Sequence, residues 1–186
     1  VIAVTLSIFV LSVLMFKLVP QQFFTPSNRA EILVDLKLEE GASLTATEQA
    51  VKKVETFLAK QKGIDNYVAY VGTGSPRFYL PLDQQLPQSS FAQFVVLASS
   101  LEDRDEIRKS LDVQIRQLLP NVRTRVALLE NGSFVGYPIQ YRVSGEDLNT
   151  VREWAQRVSK VIGENPNTHN VHLDWGEPSK MIYLDI

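Results

Sequence analysis

The sequence predicts an α+β fold, with strand, helix, strand, strand, helix and strand in a split βαβ order (βαββαβ). A second, partial unit of the same kind follows. Three observations carry this expectation. Short runs alternate apolar and polar residues, as half-buried strands do. Two longer runs place apolar residues at helical spacing behind capping signals. The same pattern restarts after residue 136 and covers only strand, helix, strand and strand before residue 186.

The elements follow in order. Val1 to Phe16 is uncharged and mostly apolar, and as a helix it spans ~24 Å, short of a hydrocarbon core of about 30 Å. It lacks the basic leader and small-residue cleavage site of a signal peptide. Because the run opens on Val, residues 1–19 are expected to be a truncated transmembrane helix. The alternative is a buried core helix. Residues 20–30, with Pro26 and two phenylalanines, read as a membrane-exit linker. Val34, Leu36 and Leu38 alternate with Asp35 and Lys37 as a first strand, which Gly41 breaks. Thr45-Ala-Thr-Glu48 has the capping-box pattern, and Val51, Val54 and Leu58 give the helix its stripe until Gly63. Tyr67 to Val71 and Phe91 to Ala98 are the next strands. Asp103 and Glu106 open a helix with Ile107, Leu111, Ile115 and Leu118 on one face, stopped by Pro120, and Val122 to Val126 alternates again. This first unit occupies residues 31–129, and residues 130–136 link it to the second, 137–186. There Ile139 to Val143, a helix with Val151, Trp154, Ala155, Val158 and Ile162, then Asn170 to Asp174 and Met181 to Ile186 repeat the pattern. The order is that of a ferredoxin-like unit.

Such a sheet has its helices on one side. Alternation assigns Val34, Leu36, Ala69, Val71, Val95 and Leu97 to the helix side. The other side then carries Leu33, Asp35, Val68, Tyr70, Phe94, Arg123 and Arg125. The first and last strands are neighbours in this architecture, which brings Asp35 near the two arginines. A face mixing aromatics with charges suggests a binding wall or a domain interface. The plainer reading is solvent exposure with cross-strand pairs worth roughly 0.2–1 kcal/mol each.

Several function classes are not supported. The net charge is −2 without a basic stripe, so no nucleic-acid partner is expected. The run Glu102 to Lys109 mixes both signs and reads as a solvated helix start. No cysteine is present, which excludes disulfides and thiolate chemistry. His169 and His172 have no third ligand nearby in sequence, whereas zinc normally takes three or four. Neither a metal site nor a cofactor is expected. Nucleophilic triads are unsupported, so catalytic residues are not assigned. The Gly72-Thr-Gly-Ser75 run lacks the Lys-Ser/Thr pair of a phosphate loop and the third glycine of a dinucleotide loop, and Pro76 removes a donor. It is expected to be a gate, Gly72 to Leu86, with Gly72 and Gly74 as hinges and Phe78, Tyr79 and Leu80 as an apolar tip.

Three motifs carry a resemblance. Leu18-Val-Pro-Gln-Gln-Phe-Phe-Thr-Pro26, Val34-Asp-Leu-Lys-Leu-Glu-Glu-Gly-Ala-Ser43 and Gly136-Tyr-Pro-Ile-Gln-Tyr-Arg-Val-Ser-Gly145 occur in the order seen in the second half of a resistance–nodulation–division (RND) efflux permease. There they mark the membrane exit after the seventh helix, the strand into the first helix, and the start of the next porter subdomain. The resemblance covers essentially the whole chain. It implies a proton-driven transporter of small molecules, a homotrimer in the inner membrane of a Gram-negative bacterium. A periplasmic adaptor and an outer-membrane channel are its implied partners. Residues after about 20 are implied to be periplasmic, and no catalysis is implied. It places Leu33, Asp35, Arg123 and Arg125 at a substrate cleft and Val68, Tyr70 and Phe94 toward a deeper pocket. The family's switch loop falls on Gly72 to Phe78, including Gly74, Pro76 and Arg77. This loop is longer than in drug-exporting members and has Thr73 and Pro76 where those tend to have phenylalanine. Two other readings share the fold. One is an acylphosphatase-like enzyme, and the other is an interaction domain of a membrane-anchored assembly protein.

Overall fold

A computed structural model describes residues 2–18, 26–132, 136–137, 139–175 and 183. Helix α1, Ile2–Phe16, carries no charge and buries none of its residues, so it is not a core helix. At 15 residues it measures ~22 Å, and no helix among the described residues is long and apolar enough to cross a membrane. Of the expected linker, 20–30, residues 20–25 lie outside the described residues, as does residue 19 of the expected helix.

The first unit forms as expected. Strands β1 (Glu31–Lys37), β2 (Ile64–Val71), β3 (Phe91–Ala98) and β4 (Arg123–Leu128) make one antiparallel sheet ordered β2-β3-β1-β4. The first and last strands are therefore neighbours. Helix α2, Leu44–Leu58, starts one residue before the expected capping box. Its N-cap is Ser43, whose hydroxyl accepts the Ala46 N–H, while Thr47, fully buried, donates its hydroxyl to Ser89 O. Helix α3, Leu101–Leu118, is capped by Ser100. Both helices lie on one sheet face, where Val51, Val54 and Leu58 of α2 and Ile107, Leu111 and Ile115 of α3 pack on Ile32, Val34 and Leu36.

Two expectations are corrected here. Phe94 is 0% exposed and lies beneath the helices with Val34 and Ala69, its partners in register. Val95 and Leu97 point to the opposite face. The strand Phe91 to Ala98 is apolar on both sides except at Gln93, so alternation alone left its parity open. The charge run at the start of α3 is also not wholly solvated. Arg104 is buried, and its Nη1 donates to Ser27 O at 2.7 Å and Arg29 O at 2.9 Å. A guanidinium can satisfy several carbonyls at once, so Arg104 ties the chain entering β1 to the helix.

Beyond residue 136 the described residues include one helix and no strand, and the last expected strand, Met181 to Ile186, lies almost wholly outside them. Helix α4, Leu148–Gly163, forms behind the Asp147 cap but buries none of its residues. Residues 139–143 and 170–174 have no ladder partner among the described residues. Alternation makes a segment able to pair. A strand exists only when a neighbour takes its N–H and C=O groups. Asn170, at φ 59°, also breaks extension where the second of these strands was expected to begin.

The buried position of Phe94 gives a test. Phe94→Ala is expected to destabilise the sheet unit by about 3–5 kcal/mol, read from equilibrium denaturant unfolding. The same truncation at Val68, 47% exposed on the other face, should cost no more than about 1 kcal/mol.

Candidate functional site

The sheet face away from the helices is ordered in rows set by strand register. One row runs Tyr70, Gln93, Asp35, Arg125, and the next Val68, Val95, Leu33, Ala127. Leu33, Asp35, Val68, Tyr70, Arg123 and Arg125 therefore share one face, as expected, and Phe94 does not. The face is not open. Residues 72–90, which join β2 to β3, fold back across it as a strap.

The strap is closed at its base, where Gly72 N–H donates to Phe91 O at 2.8 Å and Gln88 N–H to Gly72 O at 2.9 Å. Gly72 has φ +76°, and a Cβ there would lie 2.7 Å from Leu44 Cδ1. Gly74 has an ordinary φ but faces the returning limb, where a Cβ would come within 2.8 Å of Gln85 Cβ. In the seated strap Gly74 permits close packing of the two limbs. Pro76 and Arg77 are exposed.

Leu82 is the side chain that seats the strap. It is 6% exposed and packs on Leu33 and Leu129, with Tyr79 and Val95 alongside. The Tyr79 hydroxyl donates to Glu130 O at 3.0 Å. Phe78 is partly exposed and Leu80 is 84% exposed, so Leu82 rather than the expected aromatic tip meets the sheet. Arg29, ion-paired with Glu31, lies 5.8 Å from the Phe78 ring centroid and 5.5 Å from that of Tyr79. The Glu31 carboxyl is held below its usual range by that hydrogen-bonded arginine.

Beneath the strap runs a polar relay. Ser75 N–H donates to Gln93 Oε1 at 2.8 Å, and Gln93 Nε2 donates to Asp35 Oδ1 at 2.7 Å. Arg125 Nη1 lies 3.8 Å from Asp35 Oδ2, and Arg125 Nη2 donates to Gly136 O at 2.7 Å. The Arg125 guanidinium stands 5.4 Å from the Tyr137 ring centroid, and His172 meets that ring edge-on at 4.4 Å. Asn170 Nδ2 donates to Thr124 O at 3.2 Å. The relay thus runs from the strap, across the sheet, to the chain beyond β4. Asp35 and Arg125 side chains are each only 19% exposed. Burial pushes the Asp35 carboxyl above its usual range, against the opposing pull of Gln93 and Arg125 and with a small contribution from Asp83.

The N–H groups at the two ends of the Gly-Thr-Gly-Ser run, Gly72 and Ser75, are spent on Phe91 O and Gln93 Oε1 rather than converging on a common point. Among the described residues no three His, Asp or Glu side chains gather as a metal set. The face offers apolar patches, a buried carboxyl and fixed cations, which is the chemistry of reversible binding. The sequence points to Tyr79 only as part of the loop's apolar tip and singles out neither Gln93 nor Leu82. Gln93 had a signal, as the one polar residue in its strand. Leu82, inside a proline-flanked loop, had none.

The family model described as the AcrB/AcrD/AcrF family matches residues 1–186. Multidrug resistance protein MdtC of Yersinia enterocolitica is 23% identical over 178 residues, covering 94% of this chain. The chain spans only 16% of that protein's length. The crystal structure of a heavy metal efflux pump superposes with a TM-score of 0.62 at 16% identity, covering 95% of this chain and 19% of that one.

The relay predicts a pH dependence. A carboxyl whose folded pKa is raised binds its proton more tightly when folded. Its favourable contribution is present below the ordinary carboxylate range and is lost as pH rises through the raised value. Asp35→Asn keeps an acceptor for Gln93 but cannot ionise. It is expected to match the parent in unfolding free energy at about pH 4 and to be at least as stable at about pH 7. Gln93→Leu leaves Ser75 N–H and Asp35 without their partner and is expected to cost about 1–3 kcal/mol.

Proposed function

Because the chain belongs to the AcrB/AcrD/AcrF family, we propose that it is the substrate-binding porter portion of a proton-driven RND efflux pump for small molecules. In this reading residues 31–129 are one porter subdomain and 137–186 the beginning of the next. Residues 1–19 are the end of a membrane helix. The full-length protein is a homotrimer in the inner membrane of a Gram-negative bacterium. The porter faces the periplasm and works with a periplasmic adaptor and an outer-membrane channel. The chain takes no catalytic part. The uncharged, mostly apolar and exposed surface of α1 supports a lipid or helix-bundle environment for that segment.

The observation that carries the reading is the strap. It is seated by one buried leucine and a few hydrogen bonds over a sheet face with apolar and charged rows. A loop so attached can lift without unfolding the sheet, and lifting it uncovers Leu33, Val95 and the Asp35 row. The buried Ser75 hydroxyl has no hydrogen-bond partner among the described residues, which weakens the seated state by roughly 1–3 kcal/mol. Access under a lifted strap is the role proposed for the Gly72, Gly74, Pro76, Arg77 and Phe78 segment. Leu82 is its latch.

The test locks the strap in the full-length transporter. These 186 residues hold no native cysteine, and with any cysteine elsewhere in the full-length protein replaced by serine, Leu33→Cys with Leu82→Cys introduces one defined pair across the latch. Oxidation is expected to lower efflux of bulky substrates by at least about tenfold, with recovery on reduction and no change in protein level. Efflux that stays at the parental rate with the disulfide formed would refute a lifting strap.

A further inference from the structure

Next to the Asp35 row on the same face, Lys37 of β1 stands directly opposite Arg123 of β4. Like charges in this position destabilise a strand pair. Both residues are half-buried, and among the described residues neither side chain makes an ion pair or hydrogen bond. The other buried or partly buried arginines among the described residues are answered by carboxylates: Arg104 by Asp105, Arg116 by Asp112 and Arg125 by Asp35. The carboxylates of this face are already engaged. Asp35 accepts from Gln93, and Asp83 of the strap accepts from Gln85. With Arg125 two residues along β4, this end of the face holds three cations and leaves two of them unanswered.

The apolar row of Leu33, Val95 and Val68 lies four residues from Lys37 along β1, a span of roughly 14 Å at strand rise. We propose that the Lys37–Arg123 pair receives the anionic group of the transported molecule, whose apolar body lies toward Leu33 and Val68, so that the face selects amphiphilic anions over cations of the same body. The proposal rests on the cleft reading above and adds the class of substrate to it. Arg123 acts with Lys37 as a fixed countercharge, and the Asp35 carboxyl, engaged by its own partners, does not cancel it.

The experiment titrates the chain, held in neutral micelles, with 1-naphthalenesulfonate, 1-naphthalenemethanol and a naphthyl trimethylammonium salt. The readout is the amide resonances of Leu33, Val68 and Arg123, which report the face rather than uptake into the micelle. The sulfonate is expected to give saturable shifts and to bind at least about tenfold more tightly than the other two. Added salt should weaken it. Lys37→Gln with Arg123→Gln should weaken the sulfonate by about tenfold with the unfolding midpoint retained, while Lys37→Arg stays within about threefold of the parent. If the double substitution disturbs the fold, Lys37→Gln alone against Lys37→Arg makes the same comparison. Equal binding of all three probes, unchanged by the substitutions, overturns the anion assignment and leaves the cleft intact. Saturable binding by none of them overturns the assignment and counts against the cleft as well.

Discussion

The hydrogen bond from Gln93 Nε2 to Asp35 Oδ1, 2.7 Å long, holds the two faces of this molecule's chemistry together. Gln93 is almost fully buried, and its amide is used at both ends, accepting from the strap at Ser75 and donating to the carboxyl of the neighbouring strand. A buried amide without partners is costly, so the sheet and the strap each need the other's polar groups. Asp35 in turn positions Arg125, and Arg125 reaches the chain beyond β4 at Gly136 and Tyr137. Placement of the strap and placement of the following segment are thereby read by one row of side chains.

The interactions that hold the strap differ in magnitude from those that hold the sheet. The helix face buries a continuous cluster from all four strands and both helices, each large side chain contributing roughly 1.5–3 kcal/mol. The strap contributes one such side chain, Leu82, and hydrogen bonds of roughly 0.5–1.5 kcal/mol each. Against that stand a Ser75 hydroxyl with no hydrogen-bond partner among the described residues and the conformational entropy lost in ordering a long loop. The strap is therefore held by far fewer contacts than the sheet. Such segments open locally, well below the free energy of global unfolding.

Much of this was legible in the sequence. Alternation in Val34 to Leu38 and in Val122 to Val126, and the stripes of α2 and α3, gave the element order, and from it the adjacency of β1 and β4. Asp35 and Arg125 were thereby placed together before any coordinates. What failed did so for physical reasons. In β3 both faces are apolar, so the side of Phe94 depends on pairing, and only Gln93 betrays it. Arg104 looked solvated because a charge run carries no mark of the carbonyls that Ser27 and Arg29 bring to it. The strands expected near 139 and 170 need partners that the described residues do not supply. The covering of the face by its own loop depends on Leu82 meeting Leu33, a contact between residues far apart in sequence that no local pattern encodes.

The account stands or falls on the strap opening independently of the sheet beneath it. Hydrogen exchange of individual amides in the intact chain measures this directly. The Ser75 N–H is protected by Gln93 and the Leu82 N–H by Tyr79 O, whereas the amides of Val34 and Phe94 belong to the central β1–β3 pair. The account predicts that Ser75 and Leu82 exchange through a local opening that lies several kcal/mol below the opening of Val34 and Phe94 and is insensitive to low denaturant. Exchange of all four with one common free energy and one common denaturant dependence would contradict it.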